Sequence, residues 1–157
     1  MTSGPITISL PDAAATDRLG AALAGIAKFG DCILLSGQIG AGKSAIARAF
    51  IRALLGPETD VPSPTFTLVQ TYVHSDFEIW HADLYRLSDT QEAVELGLTD
   101  AFDTAVTLIE WPDLLENLAP AQALRIHLTV QDVSHVAQIS YGPDWSDRIA
   151  QVISDAK

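Results

Sequence analysis

The residues best suited to do chemistry in this sequence lie in one short glycine-rich segment. It consists of Gly37, Gln38, Ile39, Gly40, Ala41, Gly42, Lys43 and Ser44, and it matches the pattern G-x-x-x-x-G-K-[ST] of phosphate-binding loops. The glycines allow positive φ angles, so that successive backbone N–H groups can surround a phosphate. Lys43 can reach the β and γ phosphates, and the Ser44 hydroxyl can bind Mg²⁺. The segment therefore predicts a nucleotide-binding site.

The segments on either side of this loop have the character that the motif requires. Residues 31–36 form a short apolar run typical of a strand, and residues 45–55 combine good helix formers with apolar residues at helical spacing. The loop thus joins a strand to a helix. The helix start near Gly42 adds a dipole and unpaired N–H groups that favour a bound phosphate.

Composition limits the classes of partner and of compartment. The chain has 157 residues, is 48% hydrophobic and carries a net charge of −11. This length suits a single domain over residues 1–157, and this charge disfavours unaided binding to bare nucleic acid or to an anionic membrane. The single cysteine, Cys32, lies in the apolar strand before the loop, so we expect a buried thiol and a reducing, cytoplasmic setting. Lys28 and Asp31 interrupt the longest apolar run, and no membrane-spanning segment is expected.

Two acidic residues at predicted strand ends are candidates for catalysis. Asp83 follows the apolar part of residues 77–82, and Glu110 follows residues 106–109. An acid that leaves a strand beside a phosphate loop can hold Mg²⁺ or a water molecule, as hydrolysis or transfer requires. Either acid alone is more often a surface or capping group. Together with the loop, they predict that at least one belongs to the site.

Other polar and aromatic residues leave two interpretations open. Thr65 lies in a segment braced by Pro62 and Pro64, where its hydroxyl could sense Mg²⁺ or the γ phosphate, or could belong to an ordinary structured turn. Tyr72, Trp80 and Tyr85 favour packing in the sheet over stacking on a base. For Trp111 both packing in the sheet and contact with the nucleotide stay open, because it adjoins Glu110. The four histidines have no zinc-like spacing, and no zinc site is proposed.

The hydrophobic pattern predicts an α/β fold. Predicted strands are residues 6–10, 31–36, 67–73, 77–85, 105–109, 124–130 and 136–141. Predicted helices are residues 15–28, starting near Thr16, then 45–55, 88–96 and a C-terminal helix that ends near residue 153, with a helical turn at 112–116. The order includes two hairpins, so we expect a P-loop nucleotide-binding fold whose mixed parallel and antiparallel sheet is flanked by helices.

Five ordered motifs together resemble one family. They are Gly37–Ser44, Ser63–Phe66, His81–Arg86, Glu95–Gly97 and Ile109–Pro112. In order and spacing they are similar to TsaE (also called YjeE), the bacterial ATPase needed to make the threonylcarbamoyl group on N6 of adenosine 37 in tRNA. The resemblance covers roughly residues 6–118.

The resemblance implies a cofactor, partners and residue roles. It implies that the protein binds ATP with Mg²⁺ and has weak ATPase activity in the absence of partners. It also implies that the protein acts together with the TsaD–TsaB complex and contacts tRNA only indirectly, through that complex. The implied essential acids are Asp83 and Glu110, with Thr65 in a switch-like segment. The metal ligands would come from Ser44, Asp83 and Glu110. The nucleotide-binding set is Gly37, Gln38, Ile39, Gly40, Ala41, Gly42, Lys43, Ser44, Ala45 and Trp111.

Two positions depart from the family pattern, and the partner of a third is open. The family usually has Asp where this chain has Gln38, and Thr where it has Ser44. Serine keeps the hydroxyl that Mg²⁺ needs, whereas Gln38 removes a negative charge from the loop. Arg86 matches the motif arginine, and phosphate, a partner protein and a core carboxylate all remain possible contacts.

Rival functions remain for a chain with this loop. A small P-loop kinase would usually carry an arginine-rich lid, but after Arg86 the only basic residues are Arg125, Arg148 and Lys157. A GTPase would carry Asn-Lys-x-Asp, but Leu118 follows the only asparagine, Asn117. A nucleotide-gated binding module without useful hydrolysis is a further alternative.

Overall fold

A mixed sheet forms the centre of the computed structural model, which describes residues 3–38, 40–132 and 134–156. Seven strands in these residues follow the order β1-β7-β6-β2-β5-β4-β3. The strands are β1 (Ser3–Leu10), β2 (Cys32–Gly37), β3 (Val69–Val73), β4 (Glu78–Asp83), β5 (Ala105–Glu110), β6 (Leu124–Gln131) and β7 (Ser134–Tyr141). The helices are α1 (Ala13–Gly25), α2 (Lys43–Leu55), α3 (Thr90–Glu95), α4 (Leu98–Thr104) and α5 (Ser146–Ala156), with 3₁₀ helices at Pro112–Leu118 and Pro143–Trp145.

The middle of the sheet is parallel and its flanks are antiparallel. β2 pairs in parallel with both β5 and β6, and β4 pairs in parallel with β5. The pairs β3–β4, β6–β7 and β1–β7 are antiparallel. The predicted mixed α/β fold is confirmed. Since parallel strands end at the same edge of a sheet, the loop after β2 and the acids that end β4 and β5 lie at one edge.

The central strand β2 is buried on both faces. Ile33 and Leu35 pack into the larger core, which includes residues of α1, α2 and α5, and Cys32 and Leu34 pack into a second core on the other face. This explains why residues 32–35 of β2 form an unbroken apolar run. The Cys32 thiol is 3% exposed, as the sequence predicted, and burial raises its pKa to about 12.

Several helix boundaries differ from the predicted ones by one to three residues, and one helix was not predicted. α1 begins at Ala13 because Asp12 caps it: the Asp12 carboxylate accepts a hydrogen bond from the N–H of Ala15 at 2.9 Å. The predicted start at Thr16 was wrong, and this residue is buried inside α1. α2 starts at Lys43, inside the loop motif.

The unpredicted helix α4 follows a left-handed turn at Gly97, whose φ is +90°. The helix predicted over residues 88–96 does end just before this glycine, with Leu96 as its C-cap. The same glycine is also the N-cap of α4. The longest described helices, α1 and α2, have 13 residues each, and none of the described helices combines the length and apolar character needed to cross a bilayer.

Candidate functional site

The glycine-rich segment forms the connection from the end of β2 to the start of α2. Gly37 is the last residue of β2 and pairs with Leu128 of β6. Gly40 and Gly42 have φ angles of +84° and +107°, and Gly42 is the N-cap of α2. The first N–H groups of a helix have no partner inside it, so this end of α2 favours an anion. Ile39, a predicted binding residue, lies outside the described residues.

Lys43 supplies a positive charge held inside the loop. Its side chain is 5% exposed, and its Nζ donates to the carbonyl oxygens of Gly37 at 2.7 Å and Gln38 at 2.9 Å. Nζ also lies 4.1 Å from the ring centroid of Trp111. Burial lowers the pKa of Lys43, and the two neighbouring carboxylates partly oppose that effect. The loop carbonyls and the indole therefore hold the ammonium group inside the loop.

Ser44, at the start of α2, contacts Glu110, at the end of β5. Glu110 ends β5, and Leu35 of β2 is its register partner. The Ser44 Oγ lies 2.9 Å from both oxygens of the Glu110 carboxylate. Glu110 is 3% exposed. The loop hydroxyl and the acid that was expected beside it are therefore in direct contact.

Asp83 ends β4 directly opposite Glu110 in the parallel register. Its Oδ1 accepts the N–H of Tyr85 at 3.0 Å, and its Oδ2 accepts the hydroxyl of Thr65 at 3.3 Å. Thr65 in turn shares a 2.8 Å hydrogen bond with Ser63. The proline-braced segment is thereby connected to the second acid, which is the arrangement that a switch-like segment would need.

Trp111 and Tyr85 form an aromatic wall beside these groups. Their ring centroids are 4.8 Å apart, and Trp111 has the left-handed backbone angles φ +56° and ψ +58°. Such angles are strained for a bulky residue, and strain of this kind is concentrated at functional sites. Arg86 points elsewhere: its guanidinium lies 5.4 Å from the ring centroid of Phe66, a side chain that is 82% exposed.

A smaller and a larger cavity adjoin the described part of the loop. The first, which we call the loop cavity, has a volume of about 410 Å³. It is lined by Gly40, Gly42, Lys43, Ser44, Ala45, Thr65, Asp83, Tyr85, Glu110 and Trp111. The second, the flanking cavity, has about 930 Å³ and shares Gly42 and Ala45 with the first. It lies between the start of α1 and the outer side of α2, with His135 of β7 on its wall.

Comparison with known proteins identifies the family. The family model of threonylcarbamoyl adenosine biosynthesis protein TsaE matches residues 10–138. The tRNA threonylcarbamoyladenosine biosynthesis protein TsaE of Rickettsia felis is 40% identical over 117 residues, which are 74% of this chain and 68% of that protein. The chain belongs to the TsaE family. The protein of the same name from Haemophilus influenzae is 33% identical over 115 residues, 70% of this chain and 72% of that one.

A solved structure supports the same fold. The crystal structure of YdiB from Bacillus subtilis superposes with a TM-score of 0.81 and covers 100% of this chain and 99% of its own. Its sequence identity is 23%, so it supports the fold alone. The resemblance to TsaE seen in the sequence is confirmed, and the family model extends past residue 118 into β7, beyond the segment in which the motifs lie.

The structure brings most of the predicted site residues around the loop cavity. Thr65, Asp83, Glu110 and Trp111 line it together with the loop, although they are far apart in sequence. Ala41 does not line it, because its side chain is buried in the larger core at 1% exposure. The roles of these residues in binding and catalysis stay predictions for this member of the TsaE family.

The oxygen atoms at this edge of the sheet suit Mg²⁺. Ser44, Glu110 and Asp83 offer a hydroxyl and two carboxylates, which are the hard donors that Mg²⁺ prefers. In the described part of the chain, no group of three or more His, Cys, Asp or Glu side chains could hold a metal alone. Mg²⁺ in nucleotide sites is usually bound by one or two carboxylates together with phosphate oxygens and water, and this donor set fits that pattern.

Two residues of the site were missed in the sequence. Tyr85 was expected to pack in the sheet, but β4 ends at Asp83, and Tyr85 is 58% exposed and lines the loop cavity. His81 was named as part of the motif His81–Arg86 and rejected as a zinc ligand, but no role in the site was assigned to it, and its Nε2 lies 2.6 Å from Oε2 of Glu110. The signal for His81 was its position two residues before Asp83, because alternate residues of a strand share a face.

Proposed function

We propose that this chain binds ATP with Mg²⁺ and hydrolyses it slowly alone. In this proposal, hydrolysis supports the TsaD–TsaB complex in forming N6-threonylcarbamoyladenosine at position 37 of tRNA. One observation carries the enzymatic part: the loop hydroxyl of Ser44 is in contact with Glu110, with Asp83 beside it at the neighbouring strand end. A loop that merely bound phosphate would not need two buried carboxylates at its mouth.

Each group in the loop cavity has a definite task in this proposal. Lys43 exchanges its contacts to the loop carbonyls for contacts to the terminal phosphates, while the N–H groups at the start of α2 bind the remaining phosphate oxygens. Glu110 and Asp83 are the two carboxylates able to orient the attacking water. Bound Mg²⁺ supplies the positive charge that neutralises the phosphates during attack.

The flanking cavity offers room for the nucleoside. It meets the loop at Gly42 and Ala45, where a chain of phosphates leaving the loop would deliver a ribose. Its volume of about 930 Å³ lies within the range of small-molecule sites, roughly 300–1,000 Å³. Leu10 and Ala49 contribute apolar lining, and Arg48 and His135 contribute polar groups.

Dependence on partner proteins is consistent with the charges around the loop cavity. Among its lining residues, Lys43 is the single cation and faces two carboxylates. Nucleotide hydrolases commonly require a further cation at the transferred phosphate, and a partner protein can supply it. The net charge of −11 makes direct binding to tRNA unfavourable, so tRNA is met through the complex.

Measurement of ATP turnover with and without TsaD and TsaB tests the proposal. We expect slow turnover alone and at least a tenfold increase with both partners. Absence of stimulation, together with transfer of phosphate to a small metabolite, would favour a kinase. Absence of hydrolysis under every condition, with nucleotide still bound, would favour a binding module.

The variant Glu110→Ala separates binding from turnover. We expect ADP affinity within a few fold of the parent chain, because the loop is intact, and turnover lowered by at least a hundredfold. Since Ser44 loses its carboxylate partner, the thermal midpoint of the variant should be measured alongside. Unchanged turnover in a folded variant would remove Glu110 from the mechanism.

A further inference from the structure

A buried histidine lies directly behind Glu110. His81 is 1% exposed, and its Nε2 is 2.6 Å from Oε2 of Glu110, which is 3% exposed. The other ring nitrogen, Nδ1, is buried without a hydrogen-bond partner in the part of the chain that the structure describes. Glu110 is therefore the single hydrogen-bond partner of the ring within that part. Burying a polar ring costs free energy, and the hydrogen bond to Glu110 is the one contact that offsets this cost for His81.

The direction of this hydrogen bond follows from the chemistry of the two groups. The Glu110 carboxylate already accepts the hydroxyl of Ser44, and as an acceptor it is matched by an Nε2–H of His81 that donates a hydrogen bond to Oε2. The ring does not line the loop cavity. It therefore acts on the site through Glu110 rather than by touching a nucleotide.

The two groups that hold Glu110 differ in where they are anchored. Ser44 is the second residue of α2 and part of the phosphate-binding motif, so its hydroxyl is engaged when phosphates and metal enter. His81 lies inside β4, which pairs in parallel with β5, the strand of Glu110. Of the two, only the contact from His81 is fixed by the sheet and independent of what the loop binds.

We infer that His81 is a positioning residue that fixes the Glu110 carboxylate toward the loop cavity and so sets the rate of turnover. The inference rests on the proposed function, because it assigns His81 a role in that reaction. Groups that orient a ligand or catalytic side chain from behind commonly change metal affinity or activity by about 10- to 100-fold when they are removed.

Two amide variants give a matched test. In His81→Gln the amide nitrogen reaches about as far from the backbone as Nε2, so it can still donate to Glu110. In His81→Asn the amide nitrogen reaches only as far as Nδ1 and cannot. Both variants bury a polar amide at the same position, so each serves as the stability control of the other.

Steady-state kinetics with MgATP should separate the two variants. For His81→Asn we expect kcat to fall at least tenfold with KM within threefold, and for His81→Gln we expect kcat within threefold of the parent chain. Their thermal midpoints should agree with each other. Equal loss of kcat in both variants, or parent-like kcat in His81→Asn, overturns the inference.

A measurement without turnover tests the contact itself. In protein labelled with ¹⁵N-histidine, the Nε2–H proton of His81 should give a downfield resonance that is absent in His81→Gln. This resonance should persist after MgADP is added and should shift or vanish in Glu110→Ala. A resonance that Glu110→Ala leaves unchanged overturns the inference. A preserved resonance in a parent chain that never hydrolyses ATP overturns the proposed function and leaves the contact purely structural.

Discussion

Substitution of Gly37 should destabilise the protein even without nucleotide. Gly37 has a φ of +135°, and a Cβ atom built on it would lie 2.3 Å from the carbonyl oxygen of Leu128 in β6. That distance is about 1 Å short of ordinary van der Waals contact. The obstructing atom belongs to the backbone of a paired strand, so it cannot rotate away. The sheet by itself therefore requires a glycine at the first position of the loop motif.

The expected cost can be worked out from two terms. Placing a side chain on a residue with this φ costs about 1–3 kcal/mol. Forcing an extra carbon into a packed interface costs about 1–3 kcal/mol more. Gly37→Ala should therefore lose about 2–6 kcal/mol, a large share of the total stability of about 5–15 kcal/mol of an ordinary domain.

The control for this prediction is Gly56→Ala. Gly56 also has a positive φ, +114°, but a Cβ built on it would meet nothing within 4 Å. The two variants share the strain term and the effect of alanine on the unfolded chain, so their difference isolates the close approach to β6. Urea unfolding followed by tryptophan fluorescence gives both free energies. Equal losses for Gly37→Ala and Gly56→Ala would refute the reasoning.

Three further predictions address the loop, the start of α1 and the buried thiol. Lys43→Ala should weaken ADP binding by about ten- to a hundredfold, because a charge-assisted hydrogen bond to phosphate contributes about 1.5–3 kcal/mol; calorimetry that finds unchanged affinity contradicts it. Asp12→Ala should lower the free energy of unfolding by about 1 kcal/mol through loss of the helix cap, whereas Asp17→Ala should stay within about 0.5 kcal/mol. The Cys32 thiol should resist thiol reagents at pH 8 until urea unfolds the chain, since burial raises its pKa from 9.0 to about 12. The pKa of Cys32 is higher in the folded than in the unfolded chain, so the contribution of the neutral thiol to stability is complete below pH 9 and is lost as the pH rises toward 12. The variant Cys32→Ala should lack this pH dependence.

The sequence predicted the parts of this protein that local patterns determine. Hydrophobic periodicity, turn residues and motif spacing were enough to predict three features: the loop between β2 and α2, the two hairpins and the strand that ends at Glu110. The order of strands in the sheet was not predictable, because it depends on which nonadjacent strands pair. α4 was missed because a single glycine can end one helix and cap the next.

The site was predicted less completely than the fold, for a physical reason. Motif spacing identified Thr65, Asp83 and Glu110 as companions of the loop, and they do line its cavity. His81 and Tyr85 could not be identified in the same way. The role of His81 depends on a contact between two strands, and that of Tyr85 depends on the residue at which β4 ends.

The position of β2 in the middle of the sheet has a consequence for folding. The neighbours of β2 are β5 and β6, which come from residues 105–131, and each pairing must close a loop of more than fifty residues. During synthesis the phosphate loop therefore leaves the ribosome long before the strands that support it. Glu110 and Asp83 reach the loop only when these distant pairings are complete. Nucleotide binding by a growing chain should thus begin only after β6 is available, so that bound nucleotide would report that the parallel centre of the sheet, β4, β5, β2 and β6, has formed.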